Sequence, residues 1–185
     1  MGKHIVVIEG SPRVAKNTDR LVGAFLRGAQ EAGHTTYKLS LAKNRINGCV
    51  HCMQCGKNGY CVQKDAMEAF YPELERADLV VFASPIYFWQ ITSQMKAAID
   101  RLYALYTMGR LPRGDAGKDM MTLLVCGDAD PAAAADAQAF FSGVFEKRLG
   151  WKNAGTLVVS GTSRPDFDLE KEGFLQRAFD LGASL

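Results

Sequence analysis

The stretch "HIVVIEG", residues 4–10, begins the chain with an apolar run that ends at a glycine. Such a run is typical of a parallel strand covered by helices on both faces. Because longer amphipathic segments follow it and its successors, we predict crossover helices between parallel strands. The other predicted strands are "TTYKLSL" (35–41), "DLVVFASP" (78–85), "DMMTLLVCG" (119–127) and "AGTLVVSG" (154–161).

These segments predict an α/β fold in which a five-stranded parallel sheet lies between two layers of helices, a three-layer sandwich. We expect one domain over residues 1–185, with strand order 2-1-3-4-5. In such sheets, ligands bind at the carboxyl ends of the strands, beside the point where the strand order reverses. The segments after the first, third and fourth strands are therefore the candidate sites.

The composition argues against several classes of partner. The net charge of +2 and the lack of a polybasic run give no reason to expect nucleic acid or an anionic membrane. No segment approaches the roughly 18 apolar residues of a membrane span. The first apolar run is too short for a signal peptide, so we expect a cytoplasmic protein.

The loop after the first strand, "EGSPRVAKNTDRL" (9–21), lacks the glycine spacing of a dinucleotide or Walker loop. Ser11, Asn17 and Thr18 offer hydrogen-bond donors, and Arg13 offers a charged fork. The start of the following helix, where Asn17 or Thr18 is the expected cap, adds backbone N–H groups and partial positive charge. This combination suits a terminal phosphate; the alternative is a helix cap beside a solvated arginine.

The loops after the third and fourth strands offer walls for a planar ligand. The first holds large side chains beyond the predicted strand end: Ile86, Tyr87, Phe88 and Trp89. Aromatic side chains there can stack on a ring system, or else fill the core or a subunit contact, which is at least as good an interpretation for Trp89. In the second loop, Gly127 permits close backbone approach and Asp128 is a candidate polar contact.

Cysteines cluster in "GCVHCMQCGKNGYC" (48–61), within a loop at about 44–64: Cys49, Cys52, Cys55 and Cys61. Their tight spacing and the expected compartment argue against disulfides. Zinc sites commonly use two separated C-x2-C pairs, which this run fits poorly. The C-x2-C-x2-C spacing suits three corners of a [4Fe-4S] cluster, with Cys61 as the fourth ligand. Cysteines that hold no stable cluster are the remaining alternative.

"GSPRVAKNT" after the first strand and "ASPIYFWQITSQMKAAIDR" after the third resemble the NADPH-dependent FMN reductase group of flavodoxin-like proteins. The cysteine loop resembles that of its iron–sulfur flavoprotein branch, and the likeness extends from Ile5 to about Ser160. The resemblance implies bound FMN. Its phosphate would contact Ser11, Arg13, Asn17 and Thr18, and its ring would contact Pro85, Ile86, Tyr87 and Phe88.

The same resemblance implies an oxidoreductase that transfers hydride from NAD(P)H to the flavin and passes electrons to a small molecule or a redox protein. Ferredoxin is an alternative electron donor, and a homodimer with FMN near the interface is implied. Since the flavin carries the chemistry, no catalytic side chain is predicted. Three alternatives stay open: a cluster-free reductase of quinones, flavins or nitro compounds, a non-catalytic electron carrier, and a zinc-stabilised binding module without flavin.

Overall fold

The computed structural model describes residues 2–185. Its long parallel strands are β1 (His4–Glu9), β2 (Thr35–Ser40), β3 (Leu79–Tyr87), β5 (Asp119–Val125) and β6 (Lys152–Val159). A two-residue strand, β4 (Gln90–Ile91), pairs antiparallel with the end of β3. The parallel strands lie in the order β2-β1-β3-β5-β6, so the predicted sheet order is confirmed.

Helices connect the parallel strands on both faces of the sheet. They are α1 (Asn17–Glu31), α2 (Gln54–Asn58), α3 (Met67–Arg76), α4 (Ser93–Arg101), α5 (Tyr103–Thr107), α6 (Ala135–Phe141) and α7 (Phe174–Ala183). A 3₁₀ turn precedes α6, and a π-helical turn follows it directly. Within the described part of the chain, no helix is long and apolar enough to cross a membrane.

Two apolar cores lie on opposite faces of the sheet. Ile5 and Val7 of β1 belong to the core that includes α1 and α7, whereas Val6 and Ile8 belong to the core built with α3, α4 and α6. This alternation follows from the two-residue period of a strand, and both faces are apolar because both are covered. The predicted three-layer sandwich is therefore confirmed.

The third strand is longer than predicted. It was expected to end at Pro85 but continues to Tyr87 before turning back into β4. The carbonyl of Ala83 accepts a hydrogen bond from the Gly10 N–H, on the side of β1. Backbone groups on a strand point to the same side at every second residue, so the backbone of Pro85 also faces β1. The pairing with β1 stops at Ala83, so the missing N–H of Pro85 leaves no ladder bond unmade.

Candidate functional site

The loop after β1 folds around a buried serine. The hydroxyl of Ser11 accepts a hydrogen bond from the Arg13 N–H at 3.1 Å and donates to the Arg13 carbonyl at 3.0 Å. Arg13 itself is exposed, and Thr18 is buried in the first turn of α1. These contacts give the loop a fixed shape at the carboxyl edge of the sheet.

The first turn of α1 has no side-chain cap. Lys16 occupies the N-cap position, and Asn17 is already the first helical residue, so the prediction that Asn17 or Thr18 caps the helix was wrong. Without a capping side chain, the first backbone N–H groups and the positive end of the helix dipole remain available to an anion.

Thr92 joins this loop to the segment after β3. Its hydroxyl donates to the Gly10 carbonyl at 2.7 Å and accepts from the Met95 N–H at 3.2 Å, so one side chain caps α4 and holds the first loop. A Cβ at Gly10 would lie 2.7 Å from the Cβ of Met95, which explains the glycine there. The contact between Thr92 and Gly10 spans 82 residues and has no local signal in the sequence.

The β3–β4 hairpin presents two aromatic side chains to solvent. Phe88 is 92% exposed and Trp89 is 60% exposed. Both have left-handed backbone angles, φ of 48° and 60°, as the two central residues of a tight hairpin turn. Bulky residues seldom adopt this conformation, and strain of this kind is concentrated at functional sites.

A cavity of about 290 Å³ separates this hairpin from the loop after β5. Its lining includes Ile86, Phe88, Trp89, Gly127 and Asp128. The structure therefore places the predicted contacts Ile86, Phe88, Gly127 and Asp128 around one cavity, and Trp89 lines the same cavity. Pro85, Tyr87 and the predicted phosphate-loop residues do not line it, and their roles stay predictions.

Gly127 permits a close approach, as predicted, but the group that approaches it belongs to another segment of the chain. A Cβ there would lie 2.3 Å from the Ser163 hydroxyl oxygen, in the segment after β6. Asp128 is exposed, and its carboxylate accepts a hydrogen bond from the Asp130 N–H at 2.9 Å. Cys126 is buried beside this loop, and burial raises the pKa of its thiol, with Asp128 and Asp130 adding to the shift.

FMN fits these features of the edge. The uncapped start of α1, with the Thr18 hydroxyl in its first turn, provides donors for a phosphate, and the cavity between the hairpin and the β5 loop suits a planar ring. A mainly apolar wall with a few polar groups is the usual form of a cofactor site.

The cysteine loop forms a second candidate site. The thiols of Cys49 and Cys52 are exposed, that of Cys55 is buried, and Cys61 is half-buried; all are free. The four cysteines line one cavity of only about 20 Å³. No group of three or more potential ligands among residues 2–185 is arranged to hold a metal ion. The donor set fits an iron–sulfur cluster, but the loop would have to draw its thiols together around one.

The backbone of the cysteine loop also has an unusual conformation. His51 and Met53 both have left-handed angles, φ of 53° and 56°. The His51 N–H lies 3.4 Å from the Cys49 sulfur. Left-handed residues among right-handed ones turn successive N–H groups toward one side, which makes a concavity for anions.

A larger groove adjoins the cysteines on the side of α5. It has a volume of about 540 Å³, and its lining includes Cys49, His51, Tyr103 and Tyr106. The two tyrosine rings are stacked with centroids 6.0 Å apart, and the guanidinium of Arg113 lies 4.8 Å from the Tyr106 ring. Neither this groove nor the cysteine cavity shares a lining residue with the hairpin cavity.

The chain belongs to the NADPH-dependent FMN reductase family, whose model matches residues 4–162. An iron–sulfur flavoprotein of Archaeoglobus fulgidus is 37% identical over 97 residues, covering 52% of this chain and 44% of the relative. One from Methanocaldococcus jannaschii is 34% identical over 122 residues, covering 65% and 60%. The chain spans about half the length of the curated relatives it matches.

Solved structures of flavodoxin-like reductases share the fold. An NAD(P)H:quinone oxidoreductase from Methanothermobacter marburgensis superposes with a TM-score of 0.77 at 20% identity, covering 100% of this chain and 96% of the other. An azoreductase from Bacillus anthracis gives a TM-score of 0.69 at 20% identity, covering 99% and 100%. The resemblance found in the two loop sequences is thus confirmed for family and fold.

Proposed function

We propose that this protein is an FMN-dependent oxidoreductase that takes electrons from NAD(P)H and passes them to a small molecule or a redox protein. The observation that carries the proposal is the arrangement of groups at the carboxyl edge of the sheet. There, an uncapped helix N-terminus follows a buried serine, and a ring-sized cavity lies between two neighbouring loops. Membership of the FMN reductase family supports it.

The first loop would bind the phosphate. Asn17 and Thr18 would supply hydrogen bonds, and Ser11 would join them by turning its hydroxyl away from the Arg13 carbonyl. The exposed guanidinium of Arg13 would balance the negative charge. Charged hydrogen bonds of this kind are the strong ones, so the phosphate would provide much of the affinity. Thr92 would act indirectly, because it fixes the Gly10 end of the same loop.

The hairpin and the β5 loop would hold the ring. Ile86, Phe88 and Trp89 would cover its apolar surface and exclude water, while Gly127 and Asp128 would face it from the other side of the cavity. Pro85 and Tyr87 are proposed as neighbouring contacts. When bound, FMN supplies hydride acceptance, and the protein contributes binding, orientation and shielding from water.

We further propose that the cysteine loop holds a [4Fe-4S] cluster, which would let electrons leave singly. Iron–sulfur flavoproteins among the relatives support this, as does the cavity shared by Cys49, Cys52, Cys55 and Cys61. The groove beside Cys49 offers an acceptor a place to approach. A cytoplasmic location and a homodimer complete the proposal.

The flavin proposal is tested with anaerobically purified protein supplied with FMN. We expect one FMN per chain and loss of the flavin band at about 450 nm on addition of NAD(P)H. Arg13→Gln should raise the Kd for FMN about 10-fold, whereas Arg177→Gln, an exposed charge change on α7, should leave it unchanged. Protein that binds no FMN would contradict the proposal, and an FMN-loaded protein that NAD(P)H does not reduce would instead indicate an electron carrier.

The cluster is tested separately by counting metals after anaerobic reconstitution. About four irons and four sulfides per chain are expected for wild type. Cys52→Ser should lower both counts, and Cys126→Ser, at the fifth and buried cysteine, should not. Iron near zero in wild type would favour the cluster-free reductase, and one zinc per chain without flavin would favour the binding module.

A further inference from the structure

Arg101 is a fully buried cation outside every predicted ligand set. It is the last residue of α4, and its side chain is 0% exposed. Its Nη1 and Nη2 donate to the two carboxylate oxygens of Asp65 at 2.6 and 3.2 Å, a two-pronged contact. A desolvated charge is retained only where its geometry is good and its other donors are used.

The remaining donors of Arg101 contact both ends of the cysteine loop. Nη1 donates to the Asn47 carbonyl at 3.0 Å, just before the first cysteine of the loop. Nη2 lies 3.4 Å from the Gln63 carbonyl, just after the last. Asp65, which binds the same guanidinium, lies two residues after Gln63 in the chain. One guanidinium therefore fixes the start and the end of the segment that carries all four thiols.

One donor of this guanidinium is left over. The Nε of Arg101 is buried without a hydrogen-bond partner among the described residues. Arg101 also lines the cavity that the four cysteines line. A buried N–H without a partner is rare and calls for an explanation, and an anion in the neighbouring cavity would provide one.

We propose that Arg101 is a positioning residue for the cysteine site. With Asp65 it holds the two ends of the loop together, and its Nε–H is kept for an anionic sulfur of the four-cysteine centre. The inference rests on the cluster in the proposed function. It assigns no role to Arg101 in FMN binding, because Arg101 does not line the hairpin cavity.

Arg101→Lys keeps the charge but removes the planar fork that reaches Asp65 and both carbonyls at once. After anaerobic reconstitution we expect the affinity for iron to fall about 10-fold or more, as when partners that orient metal ligands are removed. FMN affinity should stay close to wild type, whereas Tm should fall, because lysine leaves part of the buried contact with Asp65 unmade. Lys96→Gln is the matched control, since it breaks an exposed ion pair with Asp100 on the same helix, lies outside the groove beside Cys49, and should leave iron binding unchanged.

Metal-free protein gives an independent readout. If the ends of the loop separate, the thiols of Cys55 and Cys61 should react with iodoacetamide about 10-fold faster in Arg101→Lys than in wild type, since labelling follows thiol exposure. The double variant Arg101→Met with Asp65→Leu removes the pair without leaving a buried charge, and should show the same faster labelling.

The outcomes separate this proposal from the one it rests on. Wild type that takes up no iron would defeat the cluster, while the labelling rates would still test the loop closure. Unchanged iron affinity and labelling in both Arg101 variants would overturn the positioning role. So would a parallel loss of FMN binding and iron affinity, because that pattern would show a general structural role.

Discussion

Glu9 is a buried carboxylate directly before the proposed phosphate loop. Lys38 Nζ lies 3.2 Å from one of its oxygens and 2.7 Å from Asp19, so one cation serves two acids. The contact with Glu9 is an ion pair without a well-directed hydrogen bond. Burial raises the pKa of Glu9, Lys38 partly opposes the shift, and Asp19 adds to it.

This shift has a defined effect on stability. The pKa of Glu9 in the folded protein lies above the unfolded value of about 4.3. Below that pH, Glu9 is protonated in both states and the protein keeps its full stability. Stability is lost as the pH rises through the folded pKa, because the buried carboxyl must then carry a charge. Glu9→Gln has no carboxyl to ionise, so its free energy of unfolding should rise relative to that of wild type as the pH increases from about 4 to about 8.

Urea unfolding at several pH values measures this difference. Glu68→Gln is the control, since Glu68 forms an exposed ion pair with Lys64 and should give a nearly flat difference. A Glu9→Gln difference that stays constant over the same pH range would contradict the prediction.

Single residues show where sequence analysis reaches its limit. The spacing of the cysteines and the Ser11–Thr18 loop could be found from sequence, because residue types and local spacing carry the signal. Thr92 and Arg101 could not be assigned their roles, because their partners are 82 and 54 residues away. Glu9 sits in an apolar strand, and nothing local predicts that Lys38 lies beside it.

At the level of elements, α1 and α7 depend on glycine to approach each other. A Cβ at Gly28 of α1 would lie 2.0 Å from the Phe179 carbonyl oxygen, and one at Gly182 of α7 would lie 2.1 Å from the Phe25 carbonyl oxygen. Gly28→Ala should therefore destabilise the protein by about 1–3 kcal/mol or more, because backbone would have to move.

Gly23 provides the matched comparison on the same helix. A Cβ there meets nothing nearer than 3.9 Å, so Gly23→Ala should stabilise by about 0.5–1 kcal/mol through helix propensity. Urea denaturation of both variants decides the point. Equal effects at the two positions would show that close packing between α1 and α7 is not what requires Gly28.

The β3–β4 hairpin is a second element whose sequence works against its shape. Two-residue turns of this kind favour Asn-Gly, but here Phe88 and Trp89 hold both left-handed positions. Replacing them with Asn and Gly should stabilise the flavin-free protein by about 1 kcal/mol or more. If the aromatic side chains cover the flavin, the same change should weaken FMN binding about 10-fold.

Thermal unfolding and FMN titration of the double variant measure the two effects. Stability gained without loss of FMN affinity would show that these aromatics do not form the flavin wall. This hairpin also explains why the sequence placed the end of β3 too early: a proline normally ends a central strand, and a glycine-free turn gives no hairpin signal.

At the scale of the whole molecule, the exposed aromatic tip predicts self-association. Phe88 and Trp89 are 92% and 60% exposed beside the proposed ring cavity, and adjoining apolar side chains of this kind mark interaction surfaces. A second copy covering the tip would also exclude water from the flavin. We therefore expect a homodimer of 20.2 kDa chains.

Light scattering after gel filtration at several concentrations measures the mass. Trp89→Ser should shift the protein toward the 20.2 kDa monomer, because it removes the larger of the two aromatic side chains and tryptophan often carries much of an interface's binding energy. Tyr60→Ser is the control, since Tyr60 is 55% exposed on the cysteine loop and not on the hairpin. A monomeric wild type at all concentrations, or a dimer that both variants leave intact, would show that the hairpin tip is not the subunit contact, and its aromatic side chains would then serve the flavin alone.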